Sequence, residues 1–151
     1  MIAYFFIASS DREATSIRCI DQREEGVELQ YITIIELSEL WVVLLNKIKN
    51  VGLIKSLSGE FKHLLPTDEG VGKLSHGETL VSIPLELVSK ISTIKPYQID
   101  DIVDQWRKMV VTQRMYLNTS INFLRESLVS LICLARIART TNQKFYLYNH
   151  V

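Results

Sequence analysis

The chain has 151 residues, 47% of them hydrophobic and 23% charged, with 17 basic side chains balancing 17 acidic ones. A chain of that length buries roughly two thirds of its unfolded surface, and its hydrophobic share lies far from the regime in which chains stay disordered, so a single globular domain over 1–151 is expected. The balance excludes a global field that would draw the chain to nucleic acid or an anionic membrane. Neither is an expected partner, and a charged partner must be met by a local patch.

The opening segment MIAYFFIASS is apolar, aromatic and β-branched, which predicts a strand at about 2–8. It has neither the basic leader nor the length of a signal peptide, and the longest apolar run elsewhere, LWVVLL, is far short of the ~18 residues of a membrane span. A charged connector over 9–26 follows, in which a short helix is neither required nor excluded. VELQYIT then alternates as a second strand does.

Thr33 and Glu36 stand at capping-box spacing ahead of Leu37, Leu40, Trp41, Leu44, Leu45 and Ile48, predicting a helix over about 34–49. The stretch 50–80 contains five of the six glycines, so it reads as a loop region with one short helical turn in GEFKHLL. Pro84 opens a short helix with the stripe Leu87, Val88, Ile91, Ile94, and Lys95-Pro96 stops it. Ile99, Ile102, Val103, Trp106, Met109 and Val110 mark the next helix, with acids expected in its first turns and bases in its last. A long helix follows, striped by Ile121, Leu124, Leu128, Leu131, Ala135 and Ala138 and widened by Phe123, Ile132, Leu134 and Ile137, as a helix through the middle of a fold would be. KFYLYNHV closes the chain as a strand expected to pair with the first. The expected class is α+β, helix-predominant, with a small antiparallel sheet including the N- and C-terminal strands, covered by about four helices.

No stretch supplies a complete catalytic constellation. The Gly-x-Gly-Lys at 70–73 is not a phosphate loop: Thr67 stands where the opening glycine belongs, and Leu74 where a hydroxyl must meet magnesium. His63, His76 and His150 lack zinc-site spacing, no Gly-x-Ser-x-Gly occurs, and Cys133 lies in an apolar helical pattern that predicts core packing rather than nucleophilic chemistry. Cys19 and Cys133, far apart, are expected to be reduced thiols in a cytoplasmic protein. Arg125, Arg136 and Arg139 line one side of the last helix, with no aromatic platform beside them, and read as its wet face. The expectation is no catalytic residue, no cofactor and no metal.

The acids are the remaining candidates. Asp100, Asp101 and Asp104 suit a helix N-terminus, with Asp104 and Lys108 at i, i+4. Glu24 and Glu25 in the connector, and Asp68 and Glu69 in the glycine-rich region, have no such structural role. With Asp100 and Asp101 they form the candidate partner-binding set.

VELQYITIIELSELWVVLL, ETLVSIPLELVSKISTI, IDDIVDQW and FLRESLVSLICLARIARTTNQKFYLYNHV, in that order and spacing, resemble a family of small uncharacterised bacterial proteins, over nearly the whole chain. The resemblance rests on Trp41, Pro84, Trp106 and the closing Lys144-Phe145-Tyr146-Leu147-Tyr148, with Tyr148 in place of a tryptophan. It implies no catalytic motif. In style it is similar to bacterial immunity proteins, and so implies a stoichiometric binding protein whose partner is a cognate toxin. The alternatives are a small enzyme or ligand-binding domain with a site assembled from distant residues, and a scaffold or adaptor.

Overall fold

Alternation in IAYFFIA puts Ala3, Phe5 and Ile7 on one side of the first strand, β1 (Ile2–Ala8), and Tyr4, Phe6 and Ala8 on the other. Both sides are covered: Phe5 and Ile7 meet the main helical core, whereas Tyr4, Phe6 and Ala8 belong to a second apolar cluster. The computed structural model describes residues 2–16, 26–29, 32–47, 51–65, 79–113 and 121–150. Within them, β1, β2 (Gly26–Glu28), β3 (Lys62–Leu65), β4 (Thr79–Ser82) and β5 (Lys144–His150) form one antiparallel sheet in the order β2-β1-β5-β4-β3. The described residues also form six helices, so the fold is α+β with helix predominating.

The terminal strands pair as expected, Phe5 opposite Leu147 and Ile7 opposite Phe145, but β5 is the middle strand rather than an edge, since its other side pairs with β4. Tyr4 and Phe6 line up beside Tyr148 and Tyr146 on the second face, where Phe6 and Tyr146 stack with centroids 5.3 Å apart. Gly26, diagonal to Tyr4 in the β1–β2 register, lies under the Tyr4 ring, and any Cβ there would collide with the phenol.

The box at Thr33 forms: the Glu36 carboxylate accepts from the Thr33 N–H at 2.9 Å, and helix α2 (Ile34–Leu44) follows. It stops earlier than its apolar stripe suggests. Asn46 takes φ 54°, the Asn46 and Lys47 N–H groups donate to the Val43 and Val42 carbonyls, and this Schellman closure ends the helix. The same closure recurs after α6 (Ile121–Thr140), with Asn142 at φ 54°.

Three expectations for the middle of the chain are corrected. The region 50–80 is not simply loop: it holds α3 (Val51–Ser58), β3 and β4. GEFKHLL supplies the extended residues of β3, not a helical turn, because pairing with β4 recruits Lys62 and His63 into the sheet. α3 packs on α2, with the Ser38 and Ser58 hydroxyls 2.9 Å apart. Of the strand expected at VELQYIT, only Val27 and Glu28 lie in β2, and Thr33 is already a helix cap.

Helix α4 (Leu85–Ser92) starts directly after Pro84 and buries Leu87, Val88 and Ile91. A 3-10 turn at Pro96–Gln98 leads into α5 (Ile99–Gln113), which runs beyond Arg107 and Lys108; those bases fall in its middle, and its last turn carries none. α6 lies against α4, α5, β1 and β5, as the central helix should. Cys133 corrects another expectation: it is exposed on α6, because the buried stripe of Leu131, Ile132, Leu134 and Ala135 faces the other way.

The arginines of α6 are more than a wet face. Arg136 donates to the Ser92 and Ile94 carbonyls at 3.2 and 2.8 Å, satisfying backbone acceptors where α4 ends, and Arg139 donates to the Ser92 hydroxyl at 2.9 Å. Arg136→Ala is expected to destabilise the protein by about 1–3 kcal/mol through loss of these charge-assisted bonds, measured by urea denaturation. No shift of the midpoint would show that water replaces the guanidinium without loss.

Candidate functional site

Two surface constellations come out of this fold, one at each end of α4. The first is built around the start of α5. Lys95-Pro96 ends the preceding segment, and the Gln98 side chain accepts from the Lys95 N–H at 2.9 Å, which fixes the 3-10 turn. Tyr97 stands on that turn with 83% of its surface exposed. It borders a groove of ≈ 430 Å³ between the C-terminal ends of α2 and α4 and the start of α5, where Asn46, Lys90, Thr93, Asp101 and Gln105 supply polar groups.

Of the predicted acids, Asp100 and Asp101 are exposed on the first turn of α5. Asp100 is tied to Arg125 of α6, an ion pair between side chains that remain 77% and 52% exposed, so it contributes little to stability and keeps solvent access. Asp101 accepts from Gln105 at 2.9 Å and lines the groove. Asp104 and Lys108 make the expected i, i+4 pair at 3.0 Å. Glu24, Glu25, Asp68 and Glu69 lie outside the described residues, as do the Gly-x-Gly-Lys stretch, Cys19 and His76.

The second constellation was not singled out from the sequence. At the open end of β1, Ser10 and Glu13 cap a short helix, α1 (Asp11–Ser16): the Glu13 N–H donates to the Ser10 hydroxyl at 3.2 Å, and the Glu13 carboxylate accepts from the Ser9 N–H at 2.8 Å. The Ser9 hydroxyl, which also donates to this carboxylate, and then the Ser9 N–H hold the Glu13 carboxyl below the usual carboxylate range. Six residues of helix need outside support. Ala14, fully buried in the second cluster, supplies part of it, and Asp11 the rest. Asp11 accepts from Lys62 at 2.9 Å and from the buried Tyr146 hydroxyl at 2.8 Å, with the Lys144 ammonium 3.5 Å away.

The hydrogen bond from Lys62 is the main cause that lowers the Asp11 pKa, helped by Tyr146 and Lys144 against its partial burial. Burial, then the Asp11 carboxylate, pushes the Tyr146 phenol well up, so it stays a donor. Lys62 is 51 positions from Asp11 and Tyr146 is 135, a separation no local motif reveals. The Ser10–Glu13 spacing was the available signal for α1.

Among the described residues, no three metal-ligating side chains converge, and no helix is long and apolar enough to cross a membrane. No protein-family model matches the chain, and no curated protein does. Among solved structures it is similar to a protein of unknown function, YfbM, from Escherichia coli, at 14% identity over 99% of each chain, with a TM-score of 0.48.

Proposed function

We propose that the chain is a stoichiometric protein-binding protein of the bacterial cytoplasm, most concretely an immunity protein that neutralises a cognate toxin. The observation that carries this reading is Tyr97, a large aromatic side chain 83% exposed at the rim of the groove and followed by the exposed carboxylates of Asp100 and Asp101. Tyrosine is enriched among the few residues that dominate binding energy, because it gains contact area at little entropic loss. Neighbouring carboxylates steer a basic partner and set its orientation, affecting association rate more than affinity.

The test is co-expression with the toxin encoded beside the gene, scored by growth rescue and by capture of the pair. Tyr97→Ala is expected to weaken the complex by about 1–3 kcal/mol, mainly through faster dissociation. Asp101→Lys is expected to slow association most at low salt and to shift stability by no more than ~0.5 kcal/mol. Charge reversal at Glu24 and Glu25, or at Asp68 and Glu69, tests whether the acidic surface extends to those residues. A wild-type chain that neither rescues growth nor captures the toxin overturns the immunity reading. Binding unaffected by Tyr97→Ala and Asp101→Lys moves the interface elsewhere.

A further inference from the structure

At the other end of α4, the strand ends of β3, β4 and β5 border an open cavity of ≈ 470 Å³, within the range of small-molecule sites. Its apolar wall comes from half-buried Pro84 and exposed Leu85, backed by Ile83, Val88 and Phe145 of the main core. Its charged wall comes from Lys62, Lys144 and Glu60. The two ammonium groups are not independent: each is held by a different oxygen of Asp11, Lys62 at 2.9 Å and Lys144 at 3.5 Å, and Asp11 is fixed in turn by the Tyr146 hydroxyl. An ammonium has three donors, so both lysines keep donors for a second carboxylate while Asp11 holds them side by side. Both side chains stay more than half exposed, so a ligand reaches them from solvent.

The charge balance of this site selects the ligand. Asp11 offsets one lysine, Glu60, exposed and without a side-chain hydrogen bond or ion pair to another described residue, offsets the other, and the Glu13 carboxylate, which accepts from the Ser9 N–H on the cavity lining, adds a further negative charge beside them. A cavity in which carboxylates at least balance the two ammonium groups does not favour a net anion; it complements a molecule that carries both charges. We propose that this cavity binds a small apolar zwitterion of the aliphatic α-amino acid class, its carboxylate between Lys62 and Lys144, its ammonium toward Glu60 and its side chain against Pro84 and Leu85. The site is separate from the groove at Tyr97 and stands or falls independently of the toxin partner.

The experiment is ligand-observed NMR and titration calorimetry on the full chain with leucine, isocaproate (no ammonium), isoamylamine (no carboxylate) and glycine (no apolar side chain). Leucine is expected to bind, with each analogue at least about tenfold weaker. Glu60→Gln, which removes no described contact, is expected to narrow the preference for leucine over isocaproate, weakening leucine by loss of its ammonium partner and strengthening isocaproate by loss of a repelling charge. Lys144→Met is expected to weaken both, and Tyr97→Ala neither. Absence of leucine binding to the wild-type chain, or equal binding of leucine and isocaproate, overturns the proposal.

Discussion

A chain ending at Gln143 is expected not to fold cooperatively. β5 is the middle of the sheet, so its loss removes its pairing with both β1 and β4, leaving the β1–β2 and β3–β4 pairs unconnected. Two-stranded pairs of that kind are marginal in water by themselves. The truncation also deletes Phe145, Tyr146, Leu147 and Tyr148, none more than 6% exposed. At ~1.5–3 kcal/mol for each large buried side chain, that loss matches the whole stability of a typical domain, ~5–15 kcal/mol. Circular dichroism and dye binding are the measurements: the shortened chain should show no sharp thermal transition and should expose apolar surface. A sharp transition near that of the full chain would mean that β5 does not organise the sheet.

The pairing of the termini was legible because two aromatic, β-branched segments sit at the chain ends. The central place of β5 was not. A strand buried on both faces has no polar alternation to show which neighbours it has, and β4, its second partner, is a four-residue strand. α3 was hidden for a related reason. VGLIKSLS carries a glycine and only two turns of helix, and its stability comes from packing on α2, a tertiary contact that no local spacing announces. Where a signal is local and chemical, as at Thr33–Glu36, Pro84 and Lys95-Pro96, the element starts or stops where the sequence places it.

The candidate site divides along the same line. Asp100 and Asp101 were legible as exposed helix-start acids because a dipole argument needs only a few neighbouring residues. Tyr97 belongs to no apolar stripe or charge pattern that would single it out in the sequence; its exposure follows from its place on the 3-10 turn. Lys62, Lys144 and Tyr146 meet Asp11 only through the sheet register, where Lys62 pairs with Ser82, Ser82 with Tyr146, and Lys144 with Ala8 beside the start of α1. The arginines of α6 lie on its exposed face, as their spacing predicts, but spacing does not show their contacts: Arg136 and Arg139 reach the end of α4, and Arg125 reaches Asp100.

Trp106→Ala is expected to destabilise the protein by about 3–5 kcal/mol. The ring is fully buried on α5, in the core shared with α2 and α6, and the predicted stripe of Val103, Trp106 and Met109 is the buried one. Its indole does more than fill volume. Nε1 donates to the Glu36 carbonyl at 2.9 Å, so the side chain also ties α5 to the first turn of α2, just after the Thr33 cap. The two contributions are separable. Trp106→Phe keeps much of the volume and leaves the carbonyl without its donor, an expected loss of about 1–3 kcal/mol. Trp41 is the control, because it is also buried, packs edge-on to Phe61, and has no hydrogen-bond partner for its Nε1 among the described residues. Trp41→Phe should therefore cost less than Trp106→Phe, since only the second breaks a hydrogen bond. Urea denaturation of the single variants measures the difference. Equal losses would show that the bond to Glu36 contributes nothing net, and an unchanged melting temperature for Trp106→Ala would place that ring at the surface, where it would join Tyr97 as a binding residue.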